Sequence, residues 1–216
     1  MYRRRVLLLG VMALMAVVWP GGTPEVWTDG SVHGPWRAIF NGEGHNLASG
    51  DAIVLEPRPA RSATETHAGL IVSRLSYTNI DYSSRIETLH QLRLNDEPNP
   101  WEVGWLIWNY TDRHHFYYIA LKPNGWEVGK ADPGYPGNQR FLATGPETFP
   151  VGYGHDVRIM HRGDSFRIWV DGRLLINFTD QERPYSAGSV GIYTEDAVVR
   201  YEQLTLGGEV SRAGVG

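Results

Sequence analysis

Cysteine is absent from all 216 residues, which at once removes disulfides, thiolate metal sites, a cysteine nucleophile and a lipid-modified N-terminal cysteine. Blocks of one charge are missing too: 20 Lys and Arg face 24 Asp and Glu, for a net charge of −4. Outside the extreme N-terminus there is thus no electrostatic footprint for nucleic acid. The longest apolar run, Val6 to Trp19, is shorter than the roughly 18 to 20 residues a membrane span needs. Neither H-E-x-x-H, nor a G-x-S-x-G elbow, nor a phosphate loop occurs, so zincin, serine-hydrolase, P-loop and Rossmann chemistry fall away.

What is present begins with MYRRRVLLLGVMALMAVVWPGG, three arginines followed by an apolar run and Pro20-Gly21-Gly22. This layout reads as an export signal over residues 1–22, or as a retained N-terminal anchor, since no small-x-small cleavage site follows. A secreted, periplasmic or cell-surface bacterial protein is expected, touching a membrane only if that segment is kept. The remainder, 42% hydrophobic and 12% aromatic over the whole chain, suffices for one packed core, placed at 24–208 with a flexible tail at 209–216.

From about residue 24, short apolar alternations are divided by Gly, Pro, Asn and Asp, an all-β pattern. Asn124-Gly125 and Asp171-Gly172 are hairpin signals, because the favoured two-residue turns need positive φ, which Asn, Asp and Gly adopt cheaply. Candidate strands fall at 52–56, 69–75, 84–94, 103–110, 115–122, 126–130, 156–161, 165–170, 173–178, 188–193 and 197–206, enough for a two-sheet sandwich or a barrel. Over 84–94 a capping box, Ser84-x-x-Glu87, competes with period-two alternation of Ile86, Thr88, His90, Leu92 and Leu94; flanking strands and the β-branched Thr88 favour a strand.

The segments "SGDAIVLEP", "DYSSRIETLHQLR", "WEVGWLIWNYTDRHHFYYIALKPNGWEVGK", "HDVRIMHRGDSFRIWVDGRLLINFTD" and "GSVGIYTEDAVVRYEQLTL" together resemble a concanavalin A-like jelly-roll. Within that superfamily the chain is most similar to bacterial laminin-G-like and 3-keto-disaccharide hydrolase-like domains, over roughly residues 27 to 206. The resemblance implies a two-sheet antiparallel sandwich and either glycan binding on a concave face or glycoside cleavage. The superfamily holds lectins, glucanases, lyases and binding modules, so function has to come from the site.

Cleavage by the family 16 route needs E-x-D-x-x-E, two carboxylates about 5 to 5.5 Å apart flanking one glycosidic bond, and the chain has no such pattern. Asp180 and Glu182 form an acidic pair two residues apart, in a turn-rich stretch. Glu87, Glu102 and Glu127, on or beside candidate strands, are the remaining catalytic candidates. His114-His115 reads as a solvated bend, since adjacent strand residues point to opposite faces and rarely share a metal. Many jelly-rolls of the superfamily carry one structural Ca²⁺; the comparable positions here are Asn41–His45 and Glu195-Asp196, giving Asp196 as carboxylate ligand and Glu43 as helper.

Glycan candidates follow from strand parity in the aromatic stretch 104–130. Tyr117, Ile119 and Leu121 form the apolar set, while Tyr118, Lys122, Trp126 and Lys130 make an aromatic and basic face suited to ring stacking and hydroxyl recognition. Trp101, Tyr135 and Tyr153 stand among Pro and Gly as surface aromatics, and Trp105, Trp108, Phe116 and Tyr117 are expected to pack. Arg85, Glu87, Gln91 and Arg93 alternate along one strand and offer the polar half of a cleft. Three readings stay open: a glycan-binding module, a glycoside hydrolase, and a structural or adhesion domain whose aromatics are core.

Overall fold

A computed structural model describes residues 23–211, so the N-terminal signal or anchor lies outside the described residues. In chain order the strands are β1 (Glu25–Val26), β2 (Val32–His33), β3 (Trp36–Phe40), β4 (His45–Ser49), β5 (Ala52–Glu56), β6 (Ala68–Ser73), β7 (Tyr77–Gln91) and β8 (Gly104–Asp112). They continue as β9 (His115–Lys122), β10 (Gly125–Ala131), β11 (Gln139–Gly145), β12 (Gly154–Arg162), β13 (Ser165–Val170), β14 (Arg173–Thr179), β15 (Ser189–Glu195) and β16 (Ala197–Val210). Two sheets of eight strands result: a first sheet ordered β1-β4-β5-β16-β7-β12-β13-β14 and a second ordered β11-β10-β9-β8-β15-β6-β3-β2.

The segment with two competing periodicities is a strand. β7 is hydrogen-bonded on both sides, to β12 through pairs such as Ser84↔Val157 and to β16 through pairs such as Tyr201↔Ile86. Ser84 spends its hydroxyl on the Glu202 carbonyl instead of a helix cap, and Ile80, Tyr82, Ile86 and Thr88 alternate into the core. As a strand the segment gives β12 and β16 each a hydrogen-bonding edge, which a helix, bonded within itself, would leave open. The turn expected at Asp171-Gly172 is formed with φ of 51° and 75°, the positive pair that a type I′ hairpin requires.

The interior is a sandwich core in which facing sheets interlock through rings. Trp108 of the second sheet meets Phe166 of the first edge-on at 5.3 Å, and Phe166 stacks on Phe178 at 5.4 Å. Trp108, Tyr82, Tyr117, Tyr201 and Phe166 are all fully buried, so the aromatic wealth of the sequence goes largely into holding the sheets together. The last strand runs to Val210, past the boundary at which the sequence suggests a tail.

Candidate functional site

The register of the β9–β10 hairpin decides the aromatic stretch. Lys122 pairs with Gly125 across the turn, so odd-numbered residues of β9 stand beside even-numbered residues of β10: Tyr117 beside Lys130, Ile119 beside Val128, Leu121 beside Trp126. The face proposed from parity, Tyr118 with Lys122, Trp126 and Lys130, is therefore split. Trp126 and Lys130 point into the sandwich with the apolar set, and Tyr118 and Lys122 point out with Glu127, which pairs with Ala120. Lys130 is wholly buried and its ammonium donates to Asp180 Oδ2 (2.7 Å), Glu182 O (2.6 Å) and Arg183 O (3.0 Å), while Tyr117 donates to the same Asp180 oxygen. Trp126 donates its indole N–H to Glu147.

The outer face of the second sheet does gather Tyr118, Lys122 and Glu127: Lys122 forms an ion pair with Glu127, which also accepts from the Tyr118 hydroxyl at 3.3 Å. Trp105 stacks on Tyr118 with centroids 4.6 Å apart, and Tyr193 lies edge-on to Trp105. These rings are closed to solvent, Trp105 being 6% and Tyr118 1% exposed, within a second apolar cluster that includes Leu70, Val72 and Ile107. Trp101 is 43% exposed and its carbonyl accepts from Trp105 Nε1. Tyr135 lies in the loop before β11, its ring under Arg183 and Arg140, and Gln91 donates to the Asn99 carbonyl.

The three catalytic candidates are not brought together. Glu87 points outward from the first sheet toward Arg200 at 3.6 Å, Glu127 outward from the second, and Glu102 is buried against Arg93 at 2.6 Å. Two carboxylates on opposite sides of a sandwich cannot flank one glycosidic bond. Asp180 of the remaining acidic pair is buried in the Lys130 and Tyr117 network. His114 and His115 lie at the β8–β9 hairpin, His115 bonded to Asp112 at 2.9 Å, as a solvated bend.

The donors expected for calcium do not fit a metal ion. Asp196 is buried, its Oδ2 taken by Arg93 at 3.1 Å and its Oδ1 by the His67 amide at 2.8 Å. Glu43 is an exposed side chain paired with Arg58 at 2.6 Å. Among the described residues no group of three or more His, Cys, Asp or Glu is arranged to hold a metal.

An open cleft exists elsewhere, on the outer face of the first sheet. The alternation that sends Tyr82, Ile86, Val157, Ile159, Phe166 and Ile168 inward sends Asp81, Ser83, Arg85, Asp156, Arg158 and Trp169 outward. A cavity of about 380 Å³ is lined by Ser83, Arg85, Asp156, Arg158, Trp169 and Gln203. Arg158 grips Asp81 with a two-point fork, 2.8 and 2.6 Å, and lies over the Trp169 ring at 5.8 Å; Arg85 pairs with Asp156 at 3.2 Å. The Arg158 hydrogen bonds hold the Asp81 carboxyl below its usual range. Arg85 lies across Gly154, where a Cβ would come within 2.8 Å of its guanidinium. A β-bulge between Glu202 and Thr205 opposite Arg85 and Ser83 sets Gln203 at φ 53° on the cleft wall. Trp169 and Gln203 make no side-chain hydrogen bond to the described residues, so an indole N–H and an amide remain available between two arginine–aspartate pairs, beside a ring that Arg158 partly covers.

Of the residues picked from sequence, Arg85 is in this cleft. Trp169 was within reach: in Ser165–Val170 the apolar Phe166, Ile168 and Val170 claim one face and leave Trp169 with Arg167 on the other. Gln203 carries no comparable signal, since a bulge position is not visible in a pattern of alternation.

Among the described residues, sixteen strands in two packed antiparallel sheets form a β-sandwich with a concanavalin A-like fold. No protein-family model matches the chain, and no curated protein matches it in sequence. Among solved structures it is similar to the carbohydrate-binding module CBM66 from Bacillus subtilis, with TM-score 0.61 and 18% identity over 80% of this chain and 94% of that one. It is also similar to an immunostimulatory antigen and pseudo beta-1,3-glucanase of Mycobacterium tuberculosis, with TM-score 0.51 and 17% identity over 84% of this chain and 95% of that one. A Bacillus subtilis protein of unknown function with a galectin-like fold aligns at TM-score 0.52 and 9% identity, over 90% and 100%. At these identities the likeness is one of fold.

Proposed function

We propose that this is an exported carbohydrate-recognition domain that binds a neutral sugar in the cleft of the first sheet. One observation carries the reading: Trp169, partly exposed and with its indole N–H unused, lies in an open cleft between the Arg158–Asp81 and Arg85–Asp156 pairs. A pyranose or furanose ring presents C–H groups to an aromatic face and hydroxyls to its edge; arginine donates to those hydroxyls and aspartate accepts from them. The two guanidinium charges are matched by two carboxylates, so the cleft offers directed hydrogen bonds without a net field, which suits a neutral saccharide over a uronate or sulfated one. A sugar-related sandwich is consistent with the CBM66 likeness, and export rests on the N-terminal sequence pattern. The hydrolase reading lacks a paired acid and base among its candidates.

Affinity electrophoresis through gels containing neutral polysaccharides, followed by calorimetric titration with the oligosaccharide that retards the domain, tests the proposal. Trp169→Ala should weaken binding at least tenfold, the equivalent of about 1.4 kcal/mol, with the thermal midpoint nearly unchanged. Unaltered affinity in that variant would remove the cleft as the site, and failure of the native domain to bind any glycan would favour a structural or adhesion role.

A further inference from the structure

The cleft of the first sheet continues past Trp169 to the edge of the sandwich. Its floor is one cross-strand row: Ser83 on β7 pairs with Arg158 on β12, Arg158 with Trp169 on β13, and Trp169 with Leu174 on β14. Paired residues project from the same face of a sheet, so Leu174 joins the outer face, where it is 56% exposed on the edge strand. A second cavity, of about 280 Å³, begins there, with Glu147, Phe149, Asp171, Arg173, Leu174 and Leu175 in its lining. One turn separates the two cavities: Gly172 lines the first, and Asp171 and Arg173 line the second. A Cβ built on Gly172 would meet no atom within 4 Å beyond its chain neighbours, so nothing among the described residues roofs the passage. The turn is also tied down. Asp171 Oδ1 accepts from the Asp156 amide at 2.9 Å, its Oδ2 bonds His155 Nδ1 at 2.8 Å, and the His155 ring meets Phe149 edge-on at 5.0 Å. Asp156, the partner of Arg85 in the cleft, is thereby linked to the wall of the second cavity. In composition that cavity repeats the first, with an arginine, two carboxylates and an apolar surface. Glu147 is fixed by the Trp126 indole at 2.7 Å, while the Arg173 guanidinium makes no hydrogen bond or ion pair among the described residues.

We infer that the two cavities are consecutive subsites for one linear neutral glycan, which lies across β7, β12, β13 and β14 with one ring at Trp169 and the following rings at Leu174 and Arg173. This rests on the cleft being a sugar site, and it adds the form of the ligand: a chain of at least three units instead of a single terminal sugar. Strands lie about 4.8 Å apart, so the row from Ser83 to Leu174 spans about 14 Å, the reach of a short oligosaccharide and more than one ring can fill. Leu174 offers apolar surface to the C–H groups of a second ring, and Arg173 offers unused N–H donors to its hydroxyls. Neither side chain is needed to hold β14, whose ladder to β13 is made by the backbone.

Calorimetric titration of the full-length chain with a length series tests the inference. The series runs from one to five sugar units, cut from whichever of a glucan, a xylan, a mannan and a fructan retards the chain in affinity gels. Native affinity should climb about tenfold between disaccharide and tetrasaccharide, as an added subsite on the same ligand provides. Arg173→Ala/Leu174→Ser should bind the short sugars as the native chain does and lose that climb, whereas Trp169→Ala should weaken binding at every length. A native affinity that levels off at the disaccharide, or a climb that the double variant retains, overturns the inference and leaves the cleft as the sugar site. Loss of short-sugar binding in the double variant overturns it too, because Leu174 and Arg173 would then belong to the first subsite. Retardation by none of the four polysaccharides removes the sugar site and the inference together.

Discussion

His161 shows how one side chain ties stability to pH. It is buried at 2% exposure, and its Nδ1 accepts from Trp108 Nε1 and Asn109 Nδ2, both at 3.0 Å, which requires the neutral ring. Burial pushes its pKa down to about 4, against roughly 6.5 in an unfolded chain. Between those values the unfolded chain binds a proton that the native state refuses. Its contribution is therefore complete above pH 6.5 and is lost as pH falls toward 4, by an amount on the order of 3 kcal/mol. Urea midpoints measured from pH 7 to pH 5, above the range of ordinary carboxylates, should fall for the native protein and stay flatter for His161→Gln. Parallel slopes in the two proteins would assign the acid sensitivity elsewhere.

At the scale of elements, Lys130 fastens the β14–β15 connection to the sheet. Its contacts with Asp180, Glu182 O and Arg183 O hold residues 180–183 against β10, and Tyr185 closes the other end through its hydroxyl to Ala131 O. Lys130→Met should cost about 3–5 kcal/mol, because Asp180 stays buried with fewer partners, and should expose the Gln181–Pro184 stretch to protease. Equal cleavage rates in the two proteins would show that the connection is held by other means. The sequence made the strands of this region legible through Asp171-Gly172, the Phe166-Ile168-Val170 alternation and the β-branched content of the 84–94 segment. Alternation within a strand does not say which face of its neighbour it joins. That depends on the two-residue turn at Pro123–Asn124, and it moved Trp126 and Lys130 into the core. Arg85 could be read as a cleft residue because its strand is long and regular; the bulge that places Gln203 beside it has no sequence signature.

Across the whole molecule the two outer faces have different characters. The second sheet carries a closed aromatic cluster around Trp105 and Tyr118, and the first carries an open polar cleft with one aromatic, Trp169. Tyr118→Ala should therefore cost about 3–5 kcal/mol in unfolding free energy and leave sugar affinity alone, the reverse of Trp169→Ala. A folded Tyr118→Ala protein that has lost its glycan would move the site to the second sheet. The two variants together form an assignment of face that neither provides singly.

The position of β16 governs how such a chain can come to be folded. In the first sheet it lies between β5 and β7, so β1-β4-β5 and β7-β12-β13-β14 are separate ribbons with raw inner edges until Ala197–Val210 slides between them. The strand that joins the ribbons is the last of the described strands to leave the ribosome, and its partners were made over a hundred residues earlier. Assembly by such distant pairing is slow. Until β16 has emerged the two ribbons have no partner strand to join them, so the first sheet closes later than a sheet whose neighbours follow one another in the chain.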